Sequence, residues 1–439
     1  MKGKISIEHF GVIAIITVGL PARGKTHIAR SLTRYLRWLG IQTRVFSVGN
    51  YRRQLVGTKP NEFFSPGNEE TSALRKKVAD TCLEDMIQWL TTGGGQVGIY
   101  DASNTLEERR RELVQRLNGS GIQIVFIESI CDKPEIIDAN IRSVKISSPD
   151  YVGWDPEEAV CDFKNRINNH VPFYQTITDN SVSYAKVMNA GERIISNNIN
   201  GYLQTRIVYY LMNLHISPRI IYFARTGESL NESSYKADAE LSPAGHRYAE
   251  ALKNFLLGYR DRARNLSSDG WETERPLTVW TSARKRSVQT AQHFEAAGIF
   301  VRNQTLLTDI NPGECDGLTP QQIREKFPEE FERAQQDPYH HRYPRAESYH
   351  DLAVRLEGCI LELEREKNDV LIIAHDSVLR CLYAYLFGRP ESEIPKIAIP
   401  RNYLIEIRPS AYGCREKRLE IPVGVVNEEV KAEHELNQK

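Results

Sequence analysis

The sequence predicts an α/β protein of two tandem domains, the first a phosphate-loop domain with a mainly parallel sheet. Three observations carry this. Apolar, strand-like runs alternate with helical patterns, the signature of right-handed βαβ units. The alternation stops near Ile216-Ser-Pro-Arg219 and then restarts. At 439 residues the chain has the length for two or three domains, each with its own core.

Val12–Val18 is a continuous apolar, β-branched run, the pattern of a strand buried on both faces. A glycine-rich turn follows, then a helical pattern over about Thr26–Leu39. Arg44–Val48 reads as a second strand. Glu70–Leu90 has helical spacing and stops at Gly93-Gly94-Gly95. Val97–Tyr100 and Ile122–Ile127 read as strands, with helices over Leu106–Leu117 and Pro134–Val144. One long helix over about Arg193–Asn213 closes this half. In the second half, Ile220–Ala224, Thr278–Trp280 and Val370–Ala374 read as strands. Ser242–Leu257, Arg284–Ala297, Tyr349–Glu366 and Val378–Leu386 read as helices. The expected domains are 1–215 and 216–426, with a polar, disordered tail over 427–439.

Composition narrows the partners. The 57 basic and 57 acidic residues cancel, so no general nucleic-acid binding is expected. The longest apolar run, Val12–Leu20, is about half of a membrane span, and the N-terminus lacks a cleavage site of small residues. No membrane partner is expected. Seven cysteines, an odd number without a CxxC pair, argue against structural zinc and a disulfide framework. A reducing, cytoplasmic setting fits them.

The chemistry begins at Gly19-Leu-Pro-Ala-Arg-Gly24-Lys25-Thr26, a GxxxxGKT loop between a strand and a helix. Its glycines let backbone amides turn inward, and the helix start adds positive potential. Lys25 can reach the β- and γ-phosphates of ATP, and the Thr26 hydroxyl can hold Mg2+. Asp101, ending a strand, can bind that metal or accept the proton of an attacking hydroxyl. It could equally cap the helix that follows. Arg52, Arg53, Arg75, Arg109–Arg111, Lys145 and Arg166 stand at strand ends or helix starts, and together suggest a second, phosphorylated substrate. In the second half, Arg225, Arg286 and His375 follow strands and could bind a phosphate.

These residues sit in longer motifs: GLPARGKT (19–26), VGNYRR (48–53), YDASNT (100–105), FIESIC (126–131), SSPDY (147–151), RIVYYLMN (206–213), TSARKRSVQTA (281–291), RYPRAESY (342–349) and SAYGC (410–414). Over about nine-tenths of its length the chain resembles the bifunctional 6-phosphofructo-2-kinase/fructose-2,6-bisphosphatase family. The resemblance implies phosphorylation of the 2-hydroxyl of fructose 6-phosphate by MgATP. It makes Lys25, Asp101, Cys131 and Lys145 the catalytic set. Gly19, Gly24, Lys25, Thr26 and Asn140 would contact ATP, with Thr26 and Asp101 on Mg2+. Arg53, Arg75, Ser103, Arg109, Lys145, Arg166 and His170 would hold the sugar phosphate. Ser103 stands where the family usually has Thr. His170 stands where it usually has Tyr, a shorter hydrogen-bonding group.

The resemblance also implies a C-terminal histidine-phosphatase domain, similar to phosphoglycerate mutases, and a homodimer. The family's signature there is Arg-His-Gly-Glu, whose His takes the phosphoryl group. Here it reads Arg225-Thr226-Gly227-Glu228. A threonine hydroxyl is a poor nucleophile near neutral pH without a dedicated base. Asp316 replaces the family's proton-donor Glu, Ala334 and Pro338 replace basic residues, and Asp376 replaces a neutral Gln beside His375. Arg225, Glu228, Arg286, His375 and Arg380 persist. The expectation is an active kinase with a silent phosphatase site. The alternatives are a bifunctional enzyme with weak residual phosphatase activity, a non-catalytic binder of nucleotide or sugar phosphate, and a kinase for another hydroxyl.

Overall fold

Residues 11–423 are described by a computed structural model, except 58–62, 64–68, 148, 152, 216–218, 231–233, 235, 267–274 and 411–412. At 69, 143–147, 149, 156, 265 and 266 only the backbone is described. The expected disordered tail, 427–439, lies outside the described residues. The chain divides into two compact units, chiefly between residues 217 and 218.

The first unit runs β1 (Ile13–Val18), α1 (Lys25–Trp38), β2 (Thr43–Ser47), α2 (Val48–Val56), α3 (Glu69–Thr91), β3 (Val97–Asp101), α4 (Glu107–Asn118) and β4 (Gln123–Ile130). It continues with α5 (Pro134–Ser147), α6 (Pro156–His170), β5 (Tyr184–Met188), β6 (Arg193–Asn197) and α7 (Gly201–Asn213). Its sheet has the order β2-β3-β1-β4-β5-β6. Every pair is parallel except β5/β6. All positions of β1 are buried, as its unbroken apolar run requires of a strand in mid-sheet. The chain goes from β1 to one side of the sheet and returns past it to β4. The carboxyl end of β1 is therefore a topological switch point, where α/β sheets bind ligands. Ile16, Val18, Phe46, Leu83, Met86, Tyr100, Leu113 and Phe126 form the core around it.

The second unit runs β7 (Ile221–Arg225), α8 (Pro243–Leu266), β8 (Leu277–Thr281), α9 (Lys285–Ala296), β9 (Phe300–Asn303), α10 (Pro320–Lys326) and α11 (Pro328–Gln336). It ends with α12 (Tyr349–Arg355), α13 (Glu357–Arg365), β10 (Asp369–Ala374), α14 (Asp376–Phe387), β11 (Tyr403–Ser410) and β12 (Gly413–Glu420). The sheet order is β12-β11-β7-β10-β8-β9, with β7, β10, β8 and β9 parallel and β11 antiparallel to β7. Buried Asp369 opens β10. It accepts the Ile220 amide (2.8 Å) and the guanidinium groups of Arg260 (2.6 Å) and Arg275 (3.0 Å), so its charge is paired where it leaves water.

The expected elements are present, with two corrections. The helix over about Arg193–Asn213 is a strand and a helix. Ile194-Ile195 pair with β5, Asn198 turns the chain at φ +53°, and α7 starts afresh at Gly201. The helix over Tyr349–Glu366 is interrupted at Leu356, although Leu356 still bonds Leu352 and Ile360. The sequence reading passed over α2, α6, α10, α11, β5, β9, β11 and β12. Among the described residues no helix is long and apolar enough to cross a membrane.

Candidate active site and a second cavity

The loop after β1 is shaped by close backbone approach. Gly19 has φ +138°, and a β-carbon there would lie 2.4 Å from the Ser129 carbonyl oxygen, so only glycine fits. Its amide donates to the Ser103 carbonyl oxygen (2.9 Å). Ala22 and Gly24 also take left-handed angles, φ +58° and +83°. The loop is braced from outside. The Asn140 amide donates to the Ala22 carbonyl oxygen (3.0 Å), and the Ser129 hydroxyl donates to that of Arg23. Gly24 has no side chain to cap α1, which leaves the helix start available to an anion.

Lys25 Nζ folds over this loop onto the Leu20 carbonyl oxygen (2.6 Å), and Thr26 Oγ1 donates to Asp101 Oδ2 (2.9 Å). Burial lowers Lys25 to about 8. Asp101 opposes that shift, while Arg23 and Arg166 reinforce it. Burial likewise raises Asp101, against the pull of Lys25, Thr26, Arg30 and Ser47. A buried carboxylate beside a hydroxyl suits Mg2+, a hard cation that takes few protein oxygens and relies on substrate phosphates for the rest. No group of three His, Cys, Asp or Glu side chains among the described residues could cage a metal alone.

The sugar-phosphate candidates fall into two groups. Arg166, His170 and Arg75 share the neighbourhood of Lys25. Burial lowers the His170 imidazole, and the charges of Arg166, Lys25 and Arg75 push it the same way. His170 Nδ1 donates to the Arg166 carbonyl oxygen (2.8 Å). Arg52 and Arg53 meet Asp150 at 2.6 and 3.2 Å, and Arg166 feels both Arg52 and Asp150. Arg109 is engaged elsewhere, donating to Glu112 (2.6 Å) and Asp80 (3.3 Å). Ser103 is on the loop that receives Gly19. Lys145 lies on α5 where the side chains are outside the described residues. Cys131 directly follows β4, buried, with its thiol facing the Lys133 carbonyl oxygen (3.8 Å). Burial raises that thiol, so it stays a neutral group.

In the second unit a cavity of about 170 Å³ opens at the carboxyl ends of β7 and β10. Arg225, Thr226, Lys236, Arg286, His375 and Arg401 line it, with Asp309 and Asp376. His375 Nδ1 lies 3.1 Å from Asp309 Oδ2, and its Nε2 faces the Ser287 hydroxyl at 3.4 Å. Ser377 also donates to Asp309, and Arg286 approaches it at 3.5 Å. Burial alone would raise the Asp309 carboxyl. His375, Ser377 and Arg286 overcome it and hold the group well below the usual carboxylate range. Asp376 sits between Arg380 (3.0 Å) and Arg225 (4.0 Å). The Glu228 carboxylate accepts the Ser242 hydroxyl (3.0 Å). Asp316 accepts the Ala237 amide (2.8 Å), so its carboxylate braces the rim. Ala334 lies within α11, and Pro338 just beyond it.

Comparison with known proteins matches residues 3–218 to the 6-phosphofructo-2-kinase family and 221–422 to the histidine phosphatase superfamily (branch 1). The chain is 43% identical to the 6-phosphofructo-2-kinase/fructose-2,6-bisphosphatase of Gallus gallus, over 94% of this chain and 86% of that one. Enzyme 1 of that name from Rattus norvegicus is 43% identical, over 94% and 85%. Enzyme 4 from Homo sapiens is 42% identical, over 94% and 86%. The chain belongs to the 6-phosphofructo-2-kinase/fructose-2,6-bisphosphatase family.

In this family member the supporting roles of several residues escaped the sequence reading, which took Arg110 only as one of a cluster of cations. Arg110, buried beside Arg109, holds the carbonyls of Asn104 (3.2 Å) and Thr105 (2.9 Å). Asn104, at φ +43°, donates to the Thr17 carbonyl oxygen (2.8 Å). Buried Glu128 accepts Tyr174 (2.6 Å) and Thr176 (3.1 Å). Lys236, Arg401 and Asp309 line the second site. The one available signal was the positive cluster Arg109–Arg111. Asp309 stands in a loop without periodicity.

Asp309 yields a prediction. Its folded pKa is depressed, so its stabilising contribution is present above about pH 4 and is lost as pH falls through the carboxylate range. Asp309→Asn should cost about 1–3 kcal/mol at pH 7, and the gap to the unaltered chain should narrow near pH 3. Urea unfolding at both pH values checks this, and a constant gap would contradict it.

Proposed function

We propose that the first unit transfers the γ-phosphoryl group of MgATP to the 2-hydroxyl of fructose 6-phosphate, giving fructose 2,6-bisphosphate. The observation that carries this reading is the Thr26–Asp101 hydrogen bond beside the half-buried Lys25, at a glycine loop opening α1. The names of the relatives, which share the whole two-unit plan, support the same substrates. Phosphoryl transfer needs positioning and neutralisation of charge more than covalent help from the protein. The loop amides and Lys25 would hold the triphosphate. Thr26 and Asp101 would hold Mg2+, which draws charge from the β- and γ-oxygens when bound. Asp101, raised by burial, is also suited to take the proton of the acceptor hydroxyl. Arg53, Arg75, Arg166 and His170 would bind the acceptor's phosphate. Lys145 would bridge both substrates. The enzyme is proposed to work in the cytoplasm as a homodimer.

The second unit is proposed to have lost rapid hydrolysis. Thr226 stands at the nucleophile's place, and both ring nitrogens of His375 are directed elsewhere, at Asp309 and Ser287. A slower, water-mediated hydrolysis is the second reading. It is favoured by the surviving Arg225, Arg286 and His375 around the cavity. Activity that survives Thr226→Ala and disappears with His375→Ala would establish it.

The test is turnover of pure protein with MgATP and fructose 6-phosphate. Product should form, and Asp101→Asn should lower kcat about 10²–10³-fold. ATP consumption independent of the sugar phosphate would defeat the reading. A second expectation concerns pH. Lys25 loses its proton above about pH 8 in the free enzyme, whereas a bound triphosphate favours the charged form. ATP affinity should therefore fall above pH 8, and binding there should take up a proton. Calorimetry in buffers of different ionisation enthalpy reads this directly.

A further inference from the structure

Asp150 is the acidic residue of the SSPDY segment, in a single turn (Pro149–Tyr151) between α5 and α6. Its carboxylate meets two neighbouring arginines at once. Oδ2 accepts Arg52 Nη2 at 2.6 Å and Arg53 Nη1 at 3.2 Å. The side chains are largely removed from water, 10% exposed for Asp150, 7% for Arg52 and 19% for Arg53. Arg166, on α6, lies close enough to feel both Asp150 and Arg52. The next residue, Tyr151, donates to Asp162 on α6 (2.9 Å) and also bonds Arg166. The turn thus clamps α2, which carries Arg52 and Arg53, to α6, which carries Arg166 and His170.

Two guanidinium groups on one carboxylate, with Arg166 near enough to feel its charge, leave a net charge of about two, which a phosphate monoester dianion would balance. Without Asp150 the three cations would repel in a site of low dielectric and spread apart. A carboxylate left uncompensated in such a cluster would compete with the incoming phosphate. Here the surplus of cations makes Asp150 a fixed internal counter-ion.

We propose that Asp150 is a positioning residue that preassembles the Arg52–Arg53–Arg166 cluster for the phosphate of the acceptor sugar. It acts through the arginines and does not touch the reacting atoms. The inference rests on the reading of this cluster as the acceptor's phosphate site.

The variants are Asp150→Asn and Asp150→Glu in the full chain. With Asn, KM for fructose 6-phosphate should rise at least tenfold, while kcat at saturation and KM for MgATP stay within about threefold. Glu, which restores the charge, should recover most of the affinity. An unchanged or lower KM for the sugar phosphate overturns the proposal, because Asp150 is then a bystander or a competitor. So does a joint loss of kcat and ATP affinity with a lower melting temperature, which marks a mere structural brace. If the unaltered chain does not phosphorylate fructose 6-phosphate, the functional reading fails on its own. Inorganic phosphate binding, followed by calorimetry, then tests the counter-ion role: the Asn variant should bind it at least tenfold more weakly, and equal binding overturns the role.

Discussion

The hydrogen bond from the Thr26 hydroxyl to the Asp101 carboxylate ties the start of α1 to the end of β3, directly under the glycine loop. It forms where β1 and β3 run parallel in register, Ile16 opposite Tyr100, so the two strands deliver their following residues to one point. Lys25 is half-buried at the same place. A cation and a carboxylate brought out of water together each weaken the other's desolvation, and each keeps part of its penalty. The remainder is what a triphosphate and its metal can relieve. The loop glycines, the Asn140 brace and the Arg110–Asn104–Thr17 chain of hydrogen bonds all serve to hold that point still.

The second unit places its cavity by the same logic, at the carboxyl ends of β7 and β10, and its charges are arranged differently. Asp309 is satisfied by His375, Ser377 and Arg286, and Asp376 draws on Arg225 and Arg380. These carboxylates neutralise internally the cations that a phosphate would otherwise claim. The pocket keeps four cations on its lining, Arg225, Lys236, Arg286 and Arg401. It therefore retains means of binding an anion even where Thr226 offers no imidazole to receive a phosphoryl group. Asp150 in the first unit follows a related pattern, a carboxylate set inside an arginine group, with the cations in surplus.

Much of the fold could be read from the chain because its central strands are mostly apolar runs rich in Val and Ile. β1 and β10 are buried at every position and admit no other pattern. The edges were harder. β6 and α7 merged because Ile194 and Ile195 fit both periods and only Asn198 and Gly201 mark the break. β11 is broken by Glu406 and Arg408, and β12 is charged at four consecutive positions, Arg415–Arg418, so neither gave a long apolar run. The phosphate loop and Asp101 were legible because their spacing is dictated by backbone geometry. Asp309, Glu128 and the bracing role of Arg110 were not, since each depends on partners brought together only by folding. Arg109 shows the opposite limit: its position in a motif says nothing about Asp80 and Glu112, which occupy its guanidinium.

The function proposed for the two units is that phosphate is moved in one direction. Phosphorus NMR of a single sample tests it, with pure protein, MgATP and fructose 6-phosphate followed until the ATP is spent. The account predicts fructose 2,6-bisphosphate rising in step with ADP and then persisting, with no matching release of inorganic phosphate. A bisphosphate signal that rises and then falls, with inorganic phosphate growing in its place, would contradict it.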